Sequence, residues 1–309
     1  MVYILLVIGF VCLIEGADFF VDGCSSLARK FHVPTLIIGL TVVAMGTSMP
    51  ECAVSVSAAV RGIGTMAISN ITGSNFFNLL MVCGCCSVII PLRVQPSCMK
   101  KEMPFAIIVT FLLVILSAVG MEVGRWDGIL LLAIFVLFLW SSVHDARKSM
   151  KEAEPDEEPV EFKWWKCLLC LIGGAAAIVV GGQLVVNSAE TIALNFGLSE
   201  TLIGLTVCAI GTSLPELVTS MVAAHKGEDD MAIGNVIGSN LFNILLIIGL
   251  TSAIRPIAVT FENLIDLLLL IDVSLMILLM AMPKKRISRP CGAVCIAVYA
   301  AYMVYICLR

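Results

Sequence analysis

Apolar residues gather into ten long runs along the chain, at residues 2–20, 35–60, 65–90, 104–121, 126–144, 166–187, 200–224, 230–254, 262–282 and 288–308. A helix needs about 20 apolar residues to cross the hydrocarbon core of a bilayer, so each run predicts one membrane-spanning helix. The runs are continuous rather than alternating at period two, which excludes a transmembrane β-barrel. Between the fifth and sixth lies the one polar stretch of any length, Asp145 to Glu161. Pro155 and Pro159 break helicity there, and Glu152, Glu154, Asp156, Glu157 and Glu158 make it acidic. It reads as a solvated linker. The expected organisation is a first five-helix half over residues 1–144, a linker over 145–165 and a second half over 166–309.

Composition removes the other classes. The 309 residues are 60% hydrophobic and 14% charged, against about 45–50% and about 25% in soluble domains. A water-soluble globule, a disordered chain and a secreted disulfide scaffold are excluded. The net charge of -4 offers no basic face to nucleic acid. Charge instead sets orientation. Fifteen of the 19 basic residues fall in the loops after the odd-numbered spans, among them Arg29, Lys30, Lys100, Lys101, Lys226, Lys284, Lys285 and Arg286. The positive-inside rule makes those loops cytoplasmic, so the expectation is both termini outside and the central loop inside. The opening MVYILLVIGF has no basic flank and no small-residue cleavage pattern, and reads as a retained helix rather than a signal peptide.

The sequence repeats itself. Residues 39–84 align without a gap on 204–249 at an offset of 165, with 25 identities in 46 positions. Each half carries five predicted spans, an odd number, so the second half enters the membrane from the opposite side. The expected architecture is an all-α membrane protein of ten transmembrane helices in two inverted five-helix repeats. Inverted repeats are a recurring plan of secondary transporters, with the substrate site near the midplane.

Within each repeat, Glu51 and Glu216 fall halfway along a span. A carboxylate at that depth costs at least about 2.5 kcal/mol, and two at matching positions point to a cation site. Each belongs to Gly-Thr-Ser-x-Pro-Glu: Gly46, Thr47, Ser48, Pro50 and Glu51, then Gly211, Thr212, Ser213, Pro215 and Glu216. The proline removes the hydrogen bond to the carbonyl four residues back and kinks the helix, and a bound cation can satisfy the freed oxygen. The next span repeats Asn-x-x-Gly-Ser-Asn-x-Phe-Asn: Asn70, Gly73, Ser74, Asn75, Phe77 and Asn78, then Asn235, Gly238, Ser239, Asn240, Phe242 and Asn243. Ser74 and Asn78 share a helical face, as do Ser239 and Asn243; these faces are expected to complete the ion site. An all-oxygen ligand set suits hard cations rather than zinc or copper. Two carboxylates are neutralised by one Ca²⁺ or by two Na⁺, and such competition is what an antiporter requires.

These segments resemble the α-repeats of the sodium/calcium exchanger superfamily, the calcium:cation antiporters, most closely its short prokaryotic members. The resemblance implies Na⁺-driven Ca²⁺ exchange by alternating access in a plasma (inner) membrane. It implies Ca²⁺ held by Glu51, Glu216 and the carbonyls of Thr47 and Thr212. Sodium sites would add the carbonyls of Ala44 and Ala209 and the hydroxyls of Ser48, Ser74, Ser213 and Ser239, with the Asn78 amide at the centre. Potassium-dependent relatives carry Asp at the position of Asn243, so potassium coupling is not expected here. The rival reading is a Ca²⁺/H⁺ antiporter using the same carboxylates. A passive cation channel is a further class, told apart by flux that ignores counter-ions. An intramembrane enzyme is not expected, for want of HExxH or a nucleophile motif. No cofactor is expected beyond the transported Ca²⁺ and Na⁺, and a monomer is expected to suffice.

Other polar residues are assigned lesser roles. Asp272 lies deep in the ninth run, opposite Ile107 of the first half, and is expected to be a neutral Asp bonded to a neighbouring helix. Glu15, Asp18, Asp22, Glu262 and Asp266 are expected to face headgroups or loops. The 13 Cys are expected to be reduced and buried, the pair Cys167 and Cys170 included.

Overall fold

The computed structural model describes residues 2–62, 64–152, 164–196 and 209–308. In chain order its elements are α1 (Val2–Phe31), α2 (Thr35–Thr47), α3 (Met49–Arg61), α4 (Met66–Ile89), β1 (Leu92–Arg93), α5 (Pro96–Ala118), β2 (Glu122–Val123), α6 (Arg125–Glu152), α7 (Trp164–Asn195), α8 (Ala209–Thr212), α9 (Leu214–His225), α10 (Asp229–Ile254), β3 (Ile257–Ala258), α11 (Phe261–Ala281), β4 (Arg286–Ile287) and α12 (Arg289–Leu308). Among the described residues eight helices are long and apolar enough to cross a membrane, or nine when α2 and α3 count as one span bent by 51°. The run predicted at 200–224 falls partly outside the described residues, as do most of the linker and the first five residues of the second repeat.

Four predicted ends move by eight residues or more: the first helix continues from residue 20 to Phe31, the fifth from 144 to Glu152 and the sixth from 187 to Asn195, and the fourth begins at Pro96 rather than at 104. Polar residues lower the hydropathy in the first and fifth helices without breaking them, since no proline stands between residues 20 and 33 or between 144 and 154. The all-α expectation also gains two short antiparallel ribbons, β1 with β4 and β2 with β3. The four helical runs Gly39–Val43, Phe77–Val82, Leu169–Gly173 and Asn243–Ile248 are π turns, which hold an extra residue and recur at functional sites.

The chain forms two compact units, and neither coincides with one half of the sequence. The first contains residues 1–49 and 139–235. Its spine is α1 packed along α7, with α9 against α1. Small residues permit this approach: a Cβ on Gly16 would lie 2.8 Å from Ala177 Cβ, and one on Gly181 would lie 2.8 Å from the Gly9 carbonyl oxygen. Such small-residue faces let membrane helices meet closely. Gly9 and Gly16 of α1 answer Gly174 and Gly181 of α7 at the repeat offset, and the close pairs are Gly9 with Gly181 and Gly16 with Gly174. The contact is thus reciprocal.

The second unit contains residues 50–138 and 236–309. Here α4 packs against α12 and the last part of α10, and α11 packs against α5 and α4. The ribbons tie the loop after α4 to the loop before α12, and the loop after α5 to the loop before α11. Helices α4 and α10 are buried over most of their length, whereas α12 is largely exposed.

Candidate ion-binding residues

In the first unit the site-forming segment is the break between α2 and α3. Ser48 leaves helical geometry (φ -85°, ψ 8°), and Ser213 does the same (φ -97°, ψ 5°) between α8 and α9. Pro50 and Pro215 explain the matched breaks, since neither ring can extend the preceding helix. Each Glu then falls in the first turn of the following helix, where unpaired N–H groups favour negative charge.

Glu216 is fully buried. The Ser48 hydroxyl donates to its Oε1 at 2.9 Å, whereas Oε2 has no hydrogen-bond partner among the described residues. Asn235 Nδ2 lies 3.4 Å from the Glu216 carbonyl and donates to Ser220 Oγ at 2.9 Å. The Thr47 hydroxyl donates toward Asn235 Oδ1 at 3.1 Å and lies 3.2 Å and 3.4 Å from the Val43 and Ala44 carbonyls. Thr47, Ser48, Ala44, Asn235 and Glu216 are thereby gathered in one unit.

The second unit gathers Glu51, Ser74, Asn78 and Asn243. Glu51 is also fully buried and accepts from Ser74 Oγ at 3.5 Å. Asn243 Nδ2 donates to Ser74 Oγ at 3.1 Å and to Asn75 Oδ1 at 2.9 Å. Asn78 Nδ2 donates to Asn240 Oδ1 at 3.2 Å. At the offset of 165, Asn78 answers Asn243 and Asn75 answers Asn240, so the Asn243–Asn75 and Asn78–Asn240 bonds are one bond made twice. A third pair follows the same rule: Asn70 donates to Ser55 at 3.2 Å, as Asn235 does to Ser220. The amide oxygens of Asn78 and Asn243 are buried with no hydrogen-bond partner among the described residues.

Leaving a buried polar atom unpaired costs about 1–3 kcal/mol, more for charged groups. Glu216 Oε2, Asn78 Oδ1 and Asn243 Oδ1 are all acceptors, so what would satisfy them is a donor or a cation. Among the described residues no three His, Cys, Asp or Glu side chains cluster as a metal site; the available ligands are isolated carboxylates amid hydroxyl, amide and carbonyl oxygens.

The remaining named residues are placed individually. Ser213 and Ser239 are fully buried, Thr212 closes α8, and Ala209 opens it. The motif reading passed over Ser55 and Ser220, and named Asn70, Asn75, Asn235 and Asn240 only as members of the repeated pattern. Their repetition at the same offset was the signal.

Two expectations about polar residues, those for Asp266 and Asp272, need correction. Asp266 does not face headgroups: it is buried on α11, near Asn263, which donates to Ser69 at 3.0 Å. Asp18 and Asp22 do face a loop, as expected: Lys226, just past the end of α9, has its Nζ 2.8 Å and 2.7 Å from their carboxylates. Asp272 is not bonded to a neighbouring helix; it is exposed, and no hydrogen bond or ion pair reaches it from the described residues. The cysteines among the described residues are all free, but Cys307 is exposed and several others are only half-buried.

Comparison with known proteins places this arrangement. CaxA of Alkalimonas amylolytica is 44% identical over 82% of this chain and 81% of that one. The sodium/calcium exchanger MaX1 of Methanosarcina acetivorans is 30% identical, covering 98% of this chain and 97% of that one. A solved structure of the sodium-calcium exchanger NCX_Mj is similar with a TM-score of 0.87 and 30% identity, over 98% of this chain and 97% of that one. The profile of the family described as sodium/calcium exchanger protein matches residues 1–143 and 166–308. The chain is a multi-pass membrane protein and belongs to the sodium/calcium exchanger family.

Proposed function

We propose that this exchanger-family protein moves Ca²⁺ against Na⁺ across the plasma membrane by alternating access. Glu51 and Glu216 are the charged ligands. The Thr47 and Thr212 carbonyls complete the Ca²⁺ set, and Ala44, Ala209, Ser48, Ser74, Ser213, Ser239, Asn78 and Asn243 supply oxygens for Na⁺ and shape the site. The observation that carries the reading is the unsatisfied, fully buried Oε2 of Glu216 beside the Ser48 hydroxyl. A hard cation answers that geometry with electrostatics and with coordination at once. A site neutralised by one Ca²⁺ or two Na⁺ can cross between its two faces; bare carboxylates in hydrocarbon cannot do so cheaply.

The topology proposed with it is ten spans in two inverted halves, residues 1–144 and 166–309, joined by a cytoplasmic linker, with both termini outside. The reciprocal glycine pairs and amide bonds support a two-fold relation. The ribbons support the loop assignment: β1 and β4 both lie in loops expected to be cytoplasmic, β2 and β3 in loops expected to be external. The same protein is proposed to work as a monomer.

The test is ⁴⁵Ca²⁺ uptake into Na⁺-loaded proteoliposomes diluted into choline at clamped pH, with Glu216→Gln alongside. Uptake that needs internal Na⁺ and vanishes in the variant supports the proposal. Uptake that ignores Na⁺ and follows a pH gradient replaces it with Ca²⁺/H⁺ exchange. Uptake indifferent to both gradients makes the protein a passive pathway.

A further inference from the structure

Asp272 stands twelfth of the 21 residues of α11, about 16 Å of helix from its start at the usual rise. That is mid-span, where a carboxylate costs at least about 2.5 kcal/mol. Buried acidic groups in such helices ordinarily turn inward and find a partner; Asp272 does neither. It opens onto a groove of about 370 Å³ between α11 and α12, a volume in the range of small-molecule sites. Leu269 and Met276 line the groove on the α11 side, Tyr302 and Tyr305 on the α12 side, and Phe76 of α4 contributes to its wall.

We infer that this groove is a binding site for a lipid-soluble organic monocation, a long-chain alkylammonium, with its head on Asp272 and its tail along the apolar wall. Charge complementarity selects the occupant. One carboxylate among apolar side chains cannot replace the six to eight oxygens that Ca²⁺ requires, and an inorganic ion would have to keep its water at a depth where there is none. An alkylammonium brings its own N–H donors for the carboxylate and its own apolar body for the groove. The aromatic rings add negative faces suited to a cation within about 6 Å. The occupant would also press on the transport machinery, because Tyr302 stacks on Phe76 with ring centroids 4.0 Å apart, and Phe76 directly follows Asn75 of the amide cluster.

The experiment is photolabelling of the full chain in lipid nanodiscs with dodecylamine carrying a diazirine at its tail, mapped by mass spectrometry. The dodecanol analogue serves as the neutral control. Labelling of α11 and α12 by the amine should exceed that by the alcohol at least tenfold. It should fall to the alcohol's level in Asp272→Asn, persist in Asp272→Glu, and be lost in Met276→Trp, which keeps the carboxylate and fills the groove. Equal labelling by amine and alcohol, unchanged in Asp272→Asn, would mean an Asp272 that is merely protonated against lipid, and would overturn the proposal. So would a groove unlabelled by either probe in a chain that runs as a dimer, since a second copy would then cover it. No outcome depends on which ions the protein exchanges.

Discussion

Asp18 and Asp22 stand one turn apart on α1, and Lys226 reaches both. The positions that answer them on α7, 165 residues later, are Gln183 and Asn187, which bond to each other at 2.7 Å. The polar spacing survives in both copies of the repeat; the charge survives in one. The amide cluster behaves differently. Asn75, Asn78, Asn240 and Asn243 are the same residue type at both copies and make the same bonds. The difference follows exposure. Asp18, Asp22, Gln183 and Asn187 are exposed or half-buried, so no packed neighbour is left unsatisfied when one of them changes. In the buried cluster an altered donor or acceptor leaves a neighbour unsatisfied.

The largest effect is expected from neutralising the two glutamates separately. Glu51→Gln and Glu216→Gln should each lower Ca²⁺ exchange by roughly 100-fold or more, about 2.7 kcal/mol, with the folded protein intact by size exclusion. A large effect in one and a small effect in the other would show that the copies are not equivalent. Next come Gly16→Ala and Gly181→Ala, which occupy matching places on α1 and α7. Each new Cβ would meet backbone within 3.0 Å, Ile178 N at 2.9 Å and Leu13 N at 2.7 Å. Overpacking of this kind costs about 1–3 kcal/mol, and thermal unfolding should show similar drops in Tm for the two.

Asn78→Ala and Asn243→Ala remove reciprocal bonds, each worth about 1 kcal/mol. Their Tm values should agree more closely with each other than with the parent, and binding of Ca²⁺ by calorimetry should weaken in both. The smallest effect is expected at Lys226→Met, below about 1 kcal/mol because the partners are half-exposed. Partial burial disfavours the Lys226 charge, but hydrogen bonds to Asp18 and Asp22 outweigh it and raise its pKa above 10.5. A raised folded-state pKa means that the contribution is complete below the ordinary lysine value and fades as pH rises through the higher one. The gap in Tm between parent and Lys226→Met should therefore hold at neutral pH and close above about pH 10.5.

Repetition made much of the candidate site legible from sequence: an offset of 165 picks out Glu51 with Glu216 and the six motif amides now seen hydrogen-bonded, Asn70, Asn75 and Asn78 with Asn235, Asn240 and Asn243. Hydropathy did less well wherever it had to choose a helix face. Asp266 and Asp272 are both acids within one apolar run, yet one is buried and the other exposed. Six residues turn an α-helix through about 600°, so the two point to different sides, and only the neighbours of α11 decide which side is inner. The same limit explains the shortened first span, since Asp18 and Asp22 lower the average without interrupting the helix. Local propensity gives no sign of the π turns, which arise from packing.

Those π turns set the phase of the helices that contain them. The run Phe77–Val82 begins at the polar face of Ser74 and Asn78, with Asn78 its second residue, and precedes Gly84, where a Cβ would come 3.1 Å from the Gly292 carbonyl oxygen of α12. The extra residue held there turns the rest of α4 by about 100° relative to an unbroken α-helix. One helix can therefore aim amides at the ion-binding cluster with its first half and a glycine at α12 with its second. Deleting a single residue of the run after Asn78 would leave the amides in place and swing the glycine off its partner, unseating α12 and the Tyr302 ring stacked on Phe76.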